Sequence, residues 1–153
     1  MSSLEKFKDW GLTFRKPSEG QVELPDDITD VSSEELGKLM TRLTAWTDFI
    51  SSQMTVAALE ERALLKKKEF TENTMLMRRM GAQVKGERVT AVKAEISVHP
   101  DVVALENEYE EKYAYRKLTE MLFNNHERDI QLVSREITRR TQDQRANRKD
   151  YGI

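Results

Sequence analysis

The sequence predicts an all-α protein that forms an extended αα-hairpin: two long helices, a short helical connector and an irregular N-terminal arm. Three observations support this fold. Residues 57–80 and 101–144 contain neither glycine nor proline, and good helix formers dominate both stretches. Apolar residues recur there at steps of three and four, which is the period of an amphipathic helix. No strand-like alternation reaches six residues.

Residues 1–31 are predicted to be an arm that is flexible or docked on a partner. Two glycines and two prolines interrupt it, and Pro25-Asp26-Asp27 is a turn signal. Aromatic residues such as Trp10 and Phe14 favour docking over a free arm, because they offer apolar anchors.

The first long helix should begin at Ser32 or Ser33. Ser32 and Glu35 have the spacing of a capping box, in which each satisfies a backbone N–H of the other. The helix should continue to about residue 80, just before Gly81. Its predicted apolar face consists of Leu36, Leu39, Met40, Leu43, Trp46, Ile50, Met54 and Ala57.

A basic connector flanked by Gly81 and Gly86 should separate the two rods, with a short helix near residues 90–96. Pro100 is favoured as the first residue of the second long helix, which should run to about Gln144. Its apolar steps average slightly above 3.6, so the seam is expected to wind slowly around the helix. The predicted seam includes Val102, Leu105, Tyr109, Leu118, Leu122, His126, Ile130, Val133 and Ile137. Residues 32–145 would form the oligomerisation and binding domain, and residues 146–153 a frayed tail.

Composition excludes several classes of protein. The 153 residues suit one domain, and the absence of cysteine excludes disulfides, thiolate metal sites and a cysteine nucleophile. No apolar run is long enough to span a membrane, and residues 1–10 lack the apolar core of a secretory signal. We therefore expect a cytoplasmic protein with no membrane partner.

Charge is arranged in blocks that the net charge of −2 conceals. Residues 1–61 carry a net charge of −6, residues 62–88 of +5, residues 89–127 of −4 and residues 128–149 of +4. A sequence pI near 5.8 argues against coating duplex DNA through bulk charge. A local phosphate-binding strip and head-to-tail pairing of opposite blocks between subunits both stay open.

The sequence does not predict an enzyme, a metal site or a cofactor. Its two histidines, His99 and His126, belong to different elements, and we expect a turn or N-cap residue and a satisfied seam residue, respectively. No Glu-x-x-His spacing for a di-metal bundle occurs. Gly81 and Gly86 do not form a phosphate-binding loop, because no Gly-Lys-Ser/Thr follows them.

Two basic stretches are the candidates for nucleic-acid binding. Three consecutive lysines, residues 66–68, span about 200° of a helix and cannot all face one core, and Phe70 beside them is available to stack on a base. A solvated face, or pairing with Glu106–Glu111, is the alternative. The second stretch lies near a helix C-terminus, where cations also favour the helix dipole. The predicted binding residues are Lys66, Lys67, Lys68, Arg78, Arg79, Lys85, Arg88, Arg139 and Arg140.

The chain resembles phage recombination mediator proteins of the UvsY type. The resemblance covers roughly residues 55–140 and is carried by the lysine-rich end of the first helix (Arg62 to Lys68), by Lys93-Ala94-Glu95, and by Asp101-Val102-Val103-Ala104-Leu105. It implies a small, all-helical, ring-forming protein that binds single-stranded DNA and helps to load a phage recombinase. The matched basic positions are Lys66–Lys68.

We therefore expect a non-enzymatic mediator with single-stranded DNA, and by resemblance a phage recombinase, as partners. Two long apolar faces with little globular core also predict a homo-oligomer larger than a dimer. One alternative is a phage structural or assembly protein, in which the helices are the interface and charge blocks fix the register. A small regulator that binds an enzyme through its N-terminal arm is the other.

Overall fold

The computed structural model describes residues 3–82 and 88–150, and 83% of them are helical. The predicted all-α fold is confirmed: two long helices pack against each other, with a short helix between them in the chain, and none of the described residues forms a strand. The helices are α1 (Ser3–Asp9), α2 (Ser33–Gly81), α3 (Val89–Ser97) and α4 (Pro100–Asp150). A single 3-10 turn covers Ile28–Asp30.

The helix ends follow the predicted signals. Ser32 Oγ accepts a hydrogen bond from the Glu35 backbone N–H at 3.2 Å, and Glu35 Oε2 accepts one from the Ser32 backbone N–H at 3.1 Å. The Ser32 hydroxyl and backbone donors hold the pKa of Glu35 below its ordinary value. At the other long helix, the His99 carbonyl accepts from Val102 and Val103 N–H, which makes His99 the N-cap as expected.

The predicted end of α4 is wrong. The helix continues through Asp150, so residues 146–150 of the expected frayed tail are helical. Ala146, Arg148 and Lys149 are good helix formers and no Gly or Pro interrupts the segment, whereas the prediction relied on its polarity alone.

The predicted seam of α4 is also partly wrong. A series of twelve buried and half-buried positions alternates between steps of three and four, an average of about 3.5 residues, as in a heptad seam, and further buried or half-buried residues such as Leu122 and Glu136 lie beside this series. Leu118, a predicted seam residue, is 61% exposed, because Lys112, Arg116 and Thr119 occupy the seam instead. The seam positions are Val102, Leu105, Tyr109, Lys112, Arg116, Thr119, Phe123, His126, Ile130, Val133, Ile137 and Arg140.

The chain divides into two compact units. The first contains residues 3–53 and 119–150, and the second contains residues 54–82 and 88–118. In the first unit the buried core residues are Val22, Leu36, Leu43, Trp46, Ile50 and Val133. In the second unit the buried apolar residues are Ala57, Val92, Val102 and Leu105.

Part of the N-terminal arm belongs to the first core, contrary to the prediction of a flexible or partner-docked segment. Val22 is buried with α2 and α4, and Leu24, Ile28 and Val31 pack against the same cluster. The Trp46 indole Nε1–H donates to the carbonyls of Glu19 and Gly20, at 3.2 and 3.1 Å. Residues 3–9 form α1, where no helix was predicted, because the interpretation weighted Gly11 and the prolines above the helix formers before them.

Two truncations of the arm should distinguish the part that belongs to the core from the part that does not. Deleting residues 1–24 removes buried Val22 and the acceptors of Trp46, and should lower the free energy of unfolding by about 2–4 kcal/mol. Deleting residues 1–14 removes mostly exposed side chains and should lower it by less than about 1 kcal/mol. Urea denaturation followed by circular dichroism measures both, and equal losses would contradict the division.

Candidate nucleic-acid interface

Intrahelix and interhelix ion pairs divide the predicted nucleic-acid residues into two groups. Lys68, Arg79, Arg139 and Arg140 pair with carboxylates of the same chain. Lys66, Lys67, Arg78 and Arg88 are exposed and have no carboxylate within salt-bridge distance among the described residues. Lys85 lies outside the described residues.

Lys68 takes part in a row of ion pairs between α2 and α4 in the second unit. It pairs with Glu106, Lys112 donates to Glu60 at 2.6 Å, and Arg116 pairs with Glu61. The hydrogen bond to Glu106 raises the pKa of Lys68, and the bond to Glu60 likewise raises the pKa of Lys112. The side chain of Lys68 is only 23% exposed, so it is committed to the helix pair rather than to a ligand.

The lysines before it point elsewhere, because each helical residue is rotated by about 100° from its neighbour. Alternating steps of four and three residues place one exposed row on the side of α2 that faces away from its seam. We call this row, with its flanking cations Lys67 and Arg78, the outer face of α2. The row consists of Leu59, Ala63, Lys66, Phe70, Asn73 and Met77, all exposed.

Phe70 is the centre of the outer face, and 73% of it is exposed. Lys66 lies four residues before it and Lys67 three residues before it, so helical rotation places the two lysines on opposite sides of Phe70 around the helix axis. Arg78 follows eight residues later on the Lys67 side. From Lys66 to Arg78 the helix rises about 18 Å. Three of the nine predicted cations therefore share one helix face with the aromatic ring that the sequence singled out.

Arg79 and Arg88 flank the end of α2 and the start of α3. Arg79 Nη2 lies 3.4 Å from Glu95 Oε2, and both side chains are substantially exposed, so the pair is weak. Arg79 and Glu95, together with Arg78 and Asp101, line a groove of about 540 Å³. The groove carries both signs of charge, which does not favour a simple anion site.

Arg139 and Arg140 serve a different purpose in the first unit. Both donate to the carboxylate of Glu136, whose oxygens lie 2.7–2.9 Å from the guanidinium nitrogens. Arg140 also donates to the carbonyl of Thr29 at 3.0 Å and to Ser33 Oγ at 3.2 Å. Arg140 therefore ties α4 to the segment before α2 and to the first turn of α2. Sequence reasoning missed Glu136, although its i,i+3 and i,i+4 arginines were the available signal.

Two further kinds of site were sought among the described residues: a cluster of metal ligands and a membrane-spanning helix. No group of three or more His, Asp and Glu side chains within residues 3–82 and 88–150 is placed to hold a metal ion. None of the helices in the described part of the chain combines the length and the apolar character that crossing a membrane requires. His126 is buried in the seam, as predicted, and its Nδ1 has no hydrogen-bond partner among the described residues.

Glu136 should make the stability of the first unit depend on pH. The hydrogen bonds from Arg139, and then from Arg140, lower the pKa of Glu136 from 4.5 to about 2. A carboxyl whose pKa is lower in the folded state than in the unfolded state stabilises the fold at any pH above its unfolded-state pKa. This contribution is lost as the pH falls from about 4.5 through 2. Glu136→Gln should lower the free energy of unfolding at pH 7 and flatten its decline across this window.

Urea denaturation of the wild type and of Glu136→Gln at pH 7, 4.5 and 2 measures the effect. Glu127→Gln removes an exposed carboxylate from the same helix and serves as the matched control, which should leave stability at pH 7 unchanged. Parallel pH profiles for wild type and Glu136→Gln would contradict the assignment.

In comparisons with known proteins, no protein-family model, no curated protein and no solved structure matches the chain.

Proposed function

We propose that this protein binds single-stranded DNA without catalysing a reaction, and that the outer face of α2 is its binding surface. The observation that supports this function is the exposed Phe70 flanked by Lys66 and Lys67. Arg78 extends the same surface. These three cations are unpaired among the described residues, whereas Lys68 beside them is paired with Glu106.

The chemistry of the face suits a single strand better than a duplex. Lysine and arginine bind phosphates with little sequence preference, and an exposed aromatic ring stacks on a base that is not already paired. A duplex conceals its base faces, so it would use the cations but not Phe70. The pI near 5.8 restricts the attraction to such local surfaces.

The resemblance to recombination mediators supports a biological role for this binding. In that role the protein holds single-stranded DNA while a recombinase, its protein partner, is loaded on the strand. Binding would be non-enzymatic and would require neither a metal nor a cofactor. Self-association beyond a dimer would place several α2 outer faces along one strand, which raises the effective affinity of each.

The assembly-protein alternative has one specific observation in its favour. Four of the nine predicted cations pair with carboxylates of the same chain. A protein that uses charge mainly to set helix register would show such pairing. It would bind single-stranded DNA no better than other proteins of similar charge.

Salt dependence of binding tests the cations. Lys66→Ala/Lys67→Ala/Arg78→Ala should weaken binding to an oligothymidine and reduce the slope of log K against log salt by about 2, because a single strand contributes about 0.7 per phosphate contact. The matched control is Arg128→Ala/Arg135→Ala/Arg145→Ala, which removes three exposed cations of α4 and should change the slope little. Fluorescence anisotropy at several salt concentrations measures each slope.

Phe70→Ala tests stacking separately. Loss of one stacked base costs about 1–3 kcal/mol, so affinity for the single strand should fall about tenfold or more while the salt slope stays constant. Leu132→Ala, at another exposed apolar position, is the control. If the wild type fails to bind single-stranded DNA at low salt, or prefers duplex DNA, the proposed function is wrong and the assembly role gains support.

A further inference from the structure

One flank of α4 in the second unit carries a second exposed row, which the DNA proposal does not use. Each of its members directly precedes a seam residue and is therefore rotated about 100° from the seam. Tyr115 is 50% exposed and Leu118 is 61% exposed. We call this row the acidic face of α4, and it consists of Ala104, Glu108, Glu111, Tyr115 and Leu118.

The carboxylates of this face have no cation of their own. Glu108 and Glu111 are exposed, and no lysine or arginine lies within salt-bridge distance of either among the described residues. The basic residues next to them along α4 are already committed, since Lys112 pairs with Glu60 and Arg116 pairs with Glu61. The face thus combines exposed apolar side chains with two carboxylates that form no salt bridge among the described residues.

The first part of the N-terminal arm also exposes apolar side chains. Trp10 is 73% exposed, and Leu12 and Phe14 are also exposed, whereas Val22, Leu24, Ile28 and Val31 later in the same arm belong to or pack against the first core. Gly11 has a φ of +74°, a left-handed conformation that glycine adopts readily, and the turn there returns Phe14 to stack on Phe7 at 4.8 Å between ring centroids. The result is a short apolar projection outside the core.

The projection is also basic. Residues 4–16 contain four cations against two carboxylates, Glu5 and Asp9. None of the four cations has a carboxylate within salt-bridge distance among the described residues. They are Lys6, Lys8, Arg15 and Lys16.

We propose that the basic aromatic arm, residues 4–16, of one copy docks on the acidic face of α4 of a second copy. The two surfaces match in both respects: each exposes apolar side chains whose burial is favourable, and their uncompensated charges are opposite. Trp10 would supply the central anchor beside Tyr115 and Leu118, with Lys6 and Lys8 near Glu108 and Glu111. Every copy carries both surfaces, so a second copy is always a suitable occupant.

The surface contributed by one copy differs from the one it meets on the next. Two copies that exchange arms reciprocally would form a two-fold dimer, whereas repetition of the contact in one direction produces a closed ring or an open filament. The contact does not involve the outer face of α2, so it stands independently of DNA binding.

Reversing the charges tests the contact. Lys6→Glu/Lys8→Glu and Glu108→Lys/Glu111→Lys should each raise the dissociation constant of self-association about tenfold or more, as measured by sedimentation equilibrium of the full chain. Trp10→Ala should do the same through lost apolar contact. Glu127→Lys and Leu132→Ala are matched controls at exposed sites of α4 and should leave the assembly at its wild-type mass.

Combination of the variants identifies the partner surfaces. A chain with all four reversals carries a negative arm and a positive face, and should recover self-association. A mixture of the arm variant and the face variant should recover association with the two variants alternating, because the positive arm of the face variant matches the negative face of the arm variant, and the negative arm of the arm variant matches the positive face of the face variant. Circular dichroism establishes that each variant is folded.

Four results would overturn the proposal. In the first, the wild type is a monomer at all concentrations, and in the second, both charge-reversed variants associate as tightly as the wild type. In the third, the face variant loses self-association but the arm variant does not, and in the fourth, the combined chain does not recover self-association. The third result would indicate that another surface of the protein, or a different protein partner, covers the acidic face.

Discussion

The pairing of α2 with α4 through alternating three- and four-residue steps is the constraint on which the other features of this protein depend. In the first unit the pairing is apolar and encloses residues such as Leu43 and Val133, which are completely buried. In the second unit few apolar side chains are buried, and the ion pairs of Lys68, Lys112 and Arg116 accompany them. Exposed ion pairs stabilise a fold only weakly, but they do select one register of two antiparallel helices over its neighbours.

The same constraint decides which cations are available to a ligand. Lys66, Lys67 and Lys68 are adjacent and chemically identical, yet the rotation between neighbouring helical residues directs only Lys68 to Glu106. The other two remain on the outside with Phe70. Likewise, Glu106 is paired across the helices, whereas Glu108 and Glu111 face away. Once the seam is known, neighbouring charged residues in the sequence can therefore be divided into those that pair between the helices and those that are exposed to a ligand.

Sequence reasoning succeeded where a local signal determines the structure. Ser32 with Glu35, Gly81 and Pro100 mark the ends of the long helices, because capping and backbone restriction act within a few residues. It failed where contact with a segment distant in the sequence determines whether a residue is buried. The burial of Val22 depends on α2 and α4, and the seam positions of Lys112 and Arg116 depend on Glu60 and Glu61. An apolar count along α4 selected Leu118 instead. The candidate cations and Phe70 were found from sequence, but the division between paired and exposed cations required the helix register.

The two tryptophans of the chain lie in opposite environments. Trp46 is 7% exposed, with its indole N–H bound to two carbonyls, while Trp10 is 73% exposed. The indole ring responds to the polarity around it, so each tryptophan reports optically on a separate event. Trp46 follows the integrity of the first core, and Trp10 follows whatever happens to the arm. Replacing Trp10 with phenylalanine would leave a pure reporter of folding, and replacing Trp46 would leave a reporter of the arm at the cost of its core contacts. The protein thus contains its own pair of spectroscopic probes, without any added label.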